Sequence, residues 1–153
     1  MESRSFTTHS EEETIALGRA LAQELSGVVL LIGELGAGKT TLAKGIVEGA
    51  GAAGIDAVSS PTYTLIHEYG TEGAANCIVH HVDLYRLDEE REAARLGLED
   101  IFQRGGLVLL EWAERFPALL PDKRTEIRLL SNATGDSREI TVTRRSGPSA
   151  HCA

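Results

Sequence analysis

Residues 33–40, Gly-Glu-Leu-Gly-Ala-Gly-Lys-Thr, match the pattern G-x-x-x-x-G-K-[ST] in full, and the chemistry of that pattern is the holding of a phosphate chain. Each fixed position has a task. Gly33, Gly36 and Gly38 let the loop, including Leu35 and Ala37, turn its amide N–H groups inward as an anion nest. The helix that starts near Lys39 aims its positive end at the phosphates. Lys39 brings a mobile point charge to the β- and γ-phosphates. Thr40 offers a hydroxyl to Mg²⁺, and Thr41 reaches toward the α-phosphate. The pattern points to ATP bound with Mg²⁺.

Such a loop works with an acid near the metal, at the end of a neighbouring strand. Asp83 closes the β-rich run 78–82, and Glu111 closes the aliphatic run 107–110. Both stand at C-terminal strand ends, the edge where open α/β sheets bind ligands. Either acid could instead cap its strand or pair with Arg86 or Arg115, and the residues alone leave both readings open. His80 and His81 invite a metal reading. Adjacent strand residues face opposite sides of a sheet, so the two do not share one ion. Trp112 reads equally as a core residue or as a neighbour of the site.

The elements that must position these groups are legible in the pattern. Ser10 and Glu13 form a capping-box signature, followed at helical spacing by Ile15, Leu17, Leu21, Ala22 and Leu25. That helix is expected to end near Gly27. The run 28–32 is aliphatic without alternation, as in a parallel strand buried on both faces. A helix is predicted over 39–50, with Leu42, Ile46 and Val47 facing inward. Segment 59–62 reads as loop. Segments 63–69 and 77–85 read as two strands of a hairpin. Asp88 is the expected cap of a short helix over 89–96, with a further turn at 99–102. The run 107–110 is a second buried strand, and 125–130 and 138–143 read as edge strands. The fold class is α/β, a mixed, mostly parallel sheet flanked by helices.

The 153 residues suit one domain, read as 1–143 with a frayed tail over 144–153. An apolar fraction of 42% is enough for a core. A net charge of −8 argues against a chain built to grip a phosphate backbone directly, and suits docking to a basic partner. Cys77 and Cys152 form no disulfide framework, which fits a reducing cytoplasm. Residues 1–13 lack the apolar stretch of a signal peptide. The longest aliphatic run, 28–32, is far short of the about 20 residues that cross a bilayer, so no membrane association is expected.

Four stretches in order carry a more specific resemblance. They are Gly33 to Thr41, Ser60-Pro61-Thr62-Tyr63-Thr64-Leu65, His81-Val82-Asp83-Leu84-Tyr85-Arg86-Leu87, and Glu111-Trp112-Ala113-Glu114. Together they closely resemble the bacterial TsaE (YjeE) family over about residues 6 to 130. The resemblance implies a small cytoplasmic protein with the P-loop NTPase fold that binds ATP and Mg²⁺ and hydrolyses ATP feebly alone. Its implied partners are TsaD and TsaB, which transfer threonylcarbamoyl to adenosine-37 of ANN-decoding tRNAs. tRNA is then reached only through that complex. By motif, Leu35 to Thr40 would wrap the phosphates, with Thr40 on Mg²⁺ and Glu111 as the second metal-associated group. Asp83 would be the Walker-B-like acid, Thr62 a switch-like element near the γ-phosphate, and Trp112 a neighbour of the site. Ser10 and Glu11 would lie on the adenine side. The chain departs from the family pattern at Val82, where an aromatic is usual, and at Glu34, where Asp is commoner.

Two other classes compete. A small-molecule kinase would use the same Lys39 and Mg²⁺, yet no Arg-rich lid is evident beyond Arg86, Arg91 and Arg95. A non-hydrolysing nucleotide switch is the other, but the guanine-reading N-K-x-D run is absent. No internal arginine finger stands out, which would make basal turnover slow.

Overall fold

The computed structural model describes residues 2–34, 36–51, 66–70 and 78–145. Among the described residues, seven strands and four helices follow the order β1 (Glu2–Thr8), α1 (Glu11–Ala22), β2 (Val28–Ile32), α2 (Lys39–Gly49), β3 (Ile66–Tyr69), β4 (Val79–Asp83), α3 (Glu90–Ala94), α4 (Leu98–Gln103), β5 (Leu107–Glu111), β6 (Arg124–Ser131) and β7 (Arg138–Arg145). Short 3₁₀ turns at Ala113–Arg115 and Pro117–Leu119 follow β5.

The strands form one sheet in the order β1-β7-β6-β2-β5-β4-β3. β6, β2, β5 and β4 pair in parallel, while β7 and β3 run against their neighbours. β1 is antiparallel to β7, so five of the seven strands point the same way. The unalternated run at β2 does what such runs do. Val29 and Leu31 join the core under α1 and α2, and Val28 and Leu30 join the core under α3 and α4. Each fully buried leucine of this kind contributes about 1.5–3 kcal/mol by leaving water.

α1 lies against α2 with almost no space between backbones. A methyl group added at Gly45 would land on the Ile15 carbonyl oxygen, and one at Gly18 would sit 2.6 Å from the Leu42 carbonyl oxygen. Ser10 caps α1, its hydroxyl accepting the Glu13 N–H at 3.0 Å. The Glu13 carboxylate reaches back one residue further than a strict capping box, to the His9 N–H at 2.7 Å. Thr8 and Thr14 share a buried hydroxyl bond of 2.8 Å, which fastens β1 to the start of α1.

Several expectations need correction. β1 was not expected, because 2–8 has no apolar alternation. It is held by ladder bonds to β7 and by hydroxyl pairs such as Ser5 with Thr141. β6 and β7 are interior strands; among the described residues the edges are β1 and β3. α1 stops at Ala22 rather than near Gly27, and α3 is shorter than 89–96. The residue capping α3 is Glu89, not Asp88. The Glu92 carboxylate collects the N–H groups of both Asp88 and Glu89, which moves the helix start one residue on. β7 continues through Arg145, two residues into the segment read as tail, while 146–153 lie outside the described residues. Of the expected hairpin of 63–69 with 77–85, β3 and β4 are present as an antiparallel pair, while 63–65 and 77, like the expected loop 59–62, lie outside the described residues. Among the described residues, no helix is long and apolar enough to cross a membrane.

Candidate functional site

The loop after β2 leads into α2 through Gly38, whose φ of 104° is closed to residues with a side chain. A Cβ there would also sit 2.9 Å from the Arg138 Nε. Lys39 therefore opens α2 pointing back along the loop. The residue is 5% exposed, and its ammonium donates to the Gly33 carbonyl at 2.6 Å and stands 3.7 Å over the Trp112 ring. Burial lowers the Lys39 pKa. The carboxylates of Glu111, Glu114, Asp83 and Glu34, in that order, pull it back up.

Trp112 reaches that position through its backbone. With φ 64° it is the one positive-φ residue besides glycine among the described residues, and the left-handed turn comes directly after β5. Such a conformation costs roughly 1–2 kcal/mol for an ordinary side chain. It places the indole against Tyr85 at a centroid distance of 5.0 Å and over the lysine.

Asp83 and Glu111 are direct register partners at the C-terminal ends of β4 and β5. Both are buried, at 1% and 3% exposure. Asp83 Oδ1 accepts the Tyr85 N–H at 2.8 Å, which starts the turn out of β4. Arg115 was weighed as a partner for either acid, but it clamps that turn instead. One of its nitrogens donates to the carbonyls of Leu84 (2.5 Å), Tyr85 (3.1 Å) and Leu87 (2.7 Å). Glu111 takes His81 Nε2 on Oε2 at 2.5 Å. His80, on the opposite face, bonds Glu68 at 2.6 Å.

The result is a cleft of about 260 Å³ at the C-terminal edge of the parallel strands. It gathers Glu11, Gly36, Gly38, Lys39, Thr40, Thr41, Asp83, Glu111 and Trp112 from the sequence-predicted set. Gly33 and Ala37 do not line it. Their carbonyls hold Lys39 and Arg138 respectively. Ser10 serves as the helix cap behind Glu11. Leu35 and Thr62 lie outside the described residues.

Two participants escaped the sequence reading. Arg138 lines the cleft and donates from Nε to the Ala37 carbonyl at 3.0 Å, so an arginine of the chain itself does stand beside the phosphate loop. It comes from the first residue of β7, and only the strand order brings that residue to this edge. His81 had been considered only as a metal ligand. Its two-residue spacing from Asp83 already placed both on one face.

A family model described as threonylcarbamoyl adenosine biosynthesis protein TsaE matches residues 8–140. The tRNA threonylcarbamoyladenosine biosynthesis protein TsaE of Bacillus subtilis (strain 168) is 40% identical over 145 residues, covering 94% of this chain and 87% of that one. The protein of the same name from Haemophilus influenzae is 37% identical over 149 residues, covering 93% and 90%. Among solved structures, the crystal structure of YdiB from B. subtilis superposes with a TM-score of 0.74 at 32% identity, covering 95% of this chain and 87% of that one.

Proposed function

Since this chain belongs to the TsaE family, we propose that it is the ATP-binding and ATP-hydrolysing accessory protein of tRNA threonylcarbamoyladenosine biosynthesis. In this reading it works in the cytoplasm with TsaD and TsaB, meets tRNA only through them, and does not itself transfer threonylcarbamoyl to adenosine-37. The observation that carries the proposal is one cleft holding a buried lysine, a threonine and two buried, register-paired acids beside a glycine loop.

That donor set fits Mg²⁺. Thr40, Asp83 and Glu111 present hard oxygens, and two adjacent buried acids gain from a divalent cation. Bound Mg²⁺ would neutralise charge on the β- and γ-phosphates. The chain's own residues do the rest. The loop amides orient the phosphate tail. Lys39 is held where burial disfavours its charge, so an anion arriving beside it is strongly attracted. Asp83 and Glu111 position metal and water. Electrostatics and placement do the work, with no covalent intermediate. Thr62, by the family resemblance, would be a switch-like element near the γ-phosphate. A partner group or a rearrangement of the Ser60–Tyr63 loop would then speed turnover.

Steady-state phosphate release tests the proposal. Turnover should be slow for the chain alone and rise on adding the purified TsaD–TsaB pair. Titrations should favour ATP over GTP. Unchanged turnover with cognate partners would remove the accessory role, and preference for GTP would overturn the base assignment.

Arg138 contributes in the same reading. Its guanidinium sits beside the loop with Nε already committed to Ala37, so its terminal nitrogens are the ones offered to phosphate oxygens. Arg138→Ala is expected to weaken ATP binding about tenfold or more, the worth of one charge-assisted hydrogen bond. Calorimetric titration checks it; an unchanged dissociation constant would confine Arg138 to holding the loop.

A further inference from the structure

We propose that His81 is a positioning residue, whose imidazole holds the Glu111 carboxylate at the angle from which it serves the Mg²⁺–nucleotide cleft. This rests on the function proposed above. The geometry that points to it lies in the middle of β4. His81 is wholly buried, in a strand whose other inward residues on that face are Val79 and Asp83. A valine would pack there without the cost of burying an imidazole. What the imidazole supplies is an N–H. A carboxylate only accepts, so Nε2 carries the proton that bridges to Glu111 Oε2.

Register makes this contact specific. His81 stands opposite Leu109 on β5, so it meets Glu111 on the diagonal, two residues on, while Asp83 stands directly beside Glu111. With Oε2 taken from below by His81, Glu111 has Oε1 for the cleft it lines. On the other side, β3 puts His67 opposite His81, but His67 Nδ1 bonds the Tyr69 hydroxyl at 3.1 Å and leaves Glu111 to His81. His81 Nδ1 has no partner among the described residues. Among the described residues the imidazole therefore makes a single hydrogen bond, and that bond goes to the site carboxylate. Groups that orient metal-associated carboxylates from behind typically change metal affinity by about 10–100-fold when removed.

The test compares the full-length parent chain with His81→Leu, which fills the space without a donor, and with His81→Gln, whose amide nitrogen falls near the place of Nε2. In the nucleotide-free protein, nitrogen–proton NMR should show a proton on His81 Nε2 shifted far downfield, and Glu111→Gln should abolish that shift. Calorimetry with ATP at varied Mg²⁺ should then show the Mg²⁺-dependent part of binding weakened about 10–100-fold in His81→Leu. It should be restored most of the way in His81→Gln, with Mg²⁺-free ATP binding alike in all three. Equal Mg²⁺ dependence in His81→Leu and the parent would overturn the proposal and leave His81 a core residue. Should His81→Leu not fold, His81→Asn replaces it: it is polar but too short to reach Oε2, and parity with His81→Gln would be equally fatal. If the parent itself binds no Mg²⁺–ATP, the proposed function fails, whereas the NMR signal still reports whether His81 holds Glu111.

Discussion

Lys39→Met loses tight ATP binding while the nucleotide-free protein gains stability. The first half follows from the charge. Lys39 would make two charge-assisted bonds to the β- and γ-phosphates, and at about 1.5–3 kcal/mol each their loss corresponds to about 10²–10⁴ in affinity. The second half follows from where the ammonium waits. Lys39 as a residue is 5% exposed, and burial lowers its pKa against the pull of four carboxylates. In the empty protein the charged form is thus disfavoured relative to the unfolded chain. The unfolded state binds more protons between the lowered folded value and 10.5, so stability rises with pH across that window. Methionine keeps the stem packed on Trp112 and removes the penalty. Its melting temperature should exceed the parent's at neutral pH, and its rise toward pH 10.5 should be smaller. Calorimetry and thermal melts at neutral and alkaline pH check both halves. Retained affinity would falsify the phosphate role of this lysine.

Gly45→Ala is expected to be the most damaging small substitution in the fold. On helix propensity alone it should stabilise by about 1 kcal/mol. Tertiary packing reverses the sign. The added methyl meets the Ile15 carbonyl oxygen, Ile15 C at 2.9 Å and Ile15 Cα at 3.0 Å, all backbone atoms that have no rotamer to change. Overpacking of this kind costs about 1–3 kcal/mol or more, and here the two helices must separate. Gly18 and Gly49 make the same close approach along the seam, at 2.6 Å to the carbonyl oxygens of Leu42 and Arg19, so a shift at one point opens the others. A net loss of about 2 kcal/mol lowers the melting temperature by roughly 4–8 °C in a chain of this size. A rise in melting temperature would mean that propensity wins and the seam is looser than described.

The phosphate loop was legible because its chemistry is local: one contiguous stretch makes the nest, the helix start and the lysine. The buried strands were legible because double burial forbids alternation, as in Val28–Ile32. Asp83 and Glu111 could be named as strand-end acids, but their side-by-side register needed β4 and β5 to be neighbours. β6 reads as an edge strand in the sequence and is interior in the sheet, and its alternation does not distinguish the two. That alternation reports only that one face is covered: Thr125, Ile127 and Leu129 are buried, and Arg128 and Leu130 between and beyond them are exposed. β1 carries hydroxyl and charged residues in place of an apolar face, so no periodicity announced it. Arg138 was hidden for the same reason as the sheet order. Its role depends on which strand lies beside which, and that is settled by contacts far apart in the chain.

The pairing of Glu2 with Arg144 leaves both ends of the described chain next to each other. They lie at the end of the sheet opposite the strand ends that carry Asp83 and Glu111 and the start of α2 that carries Lys39. Fluorophores, surface tethers or fused reporter domains attached there would stay clear of the cleft. A short bridge between Glu2 and Arg145, with new ends cut in an exposed turn elsewhere, would give a circular permutant that keeps every group of the site on its original element.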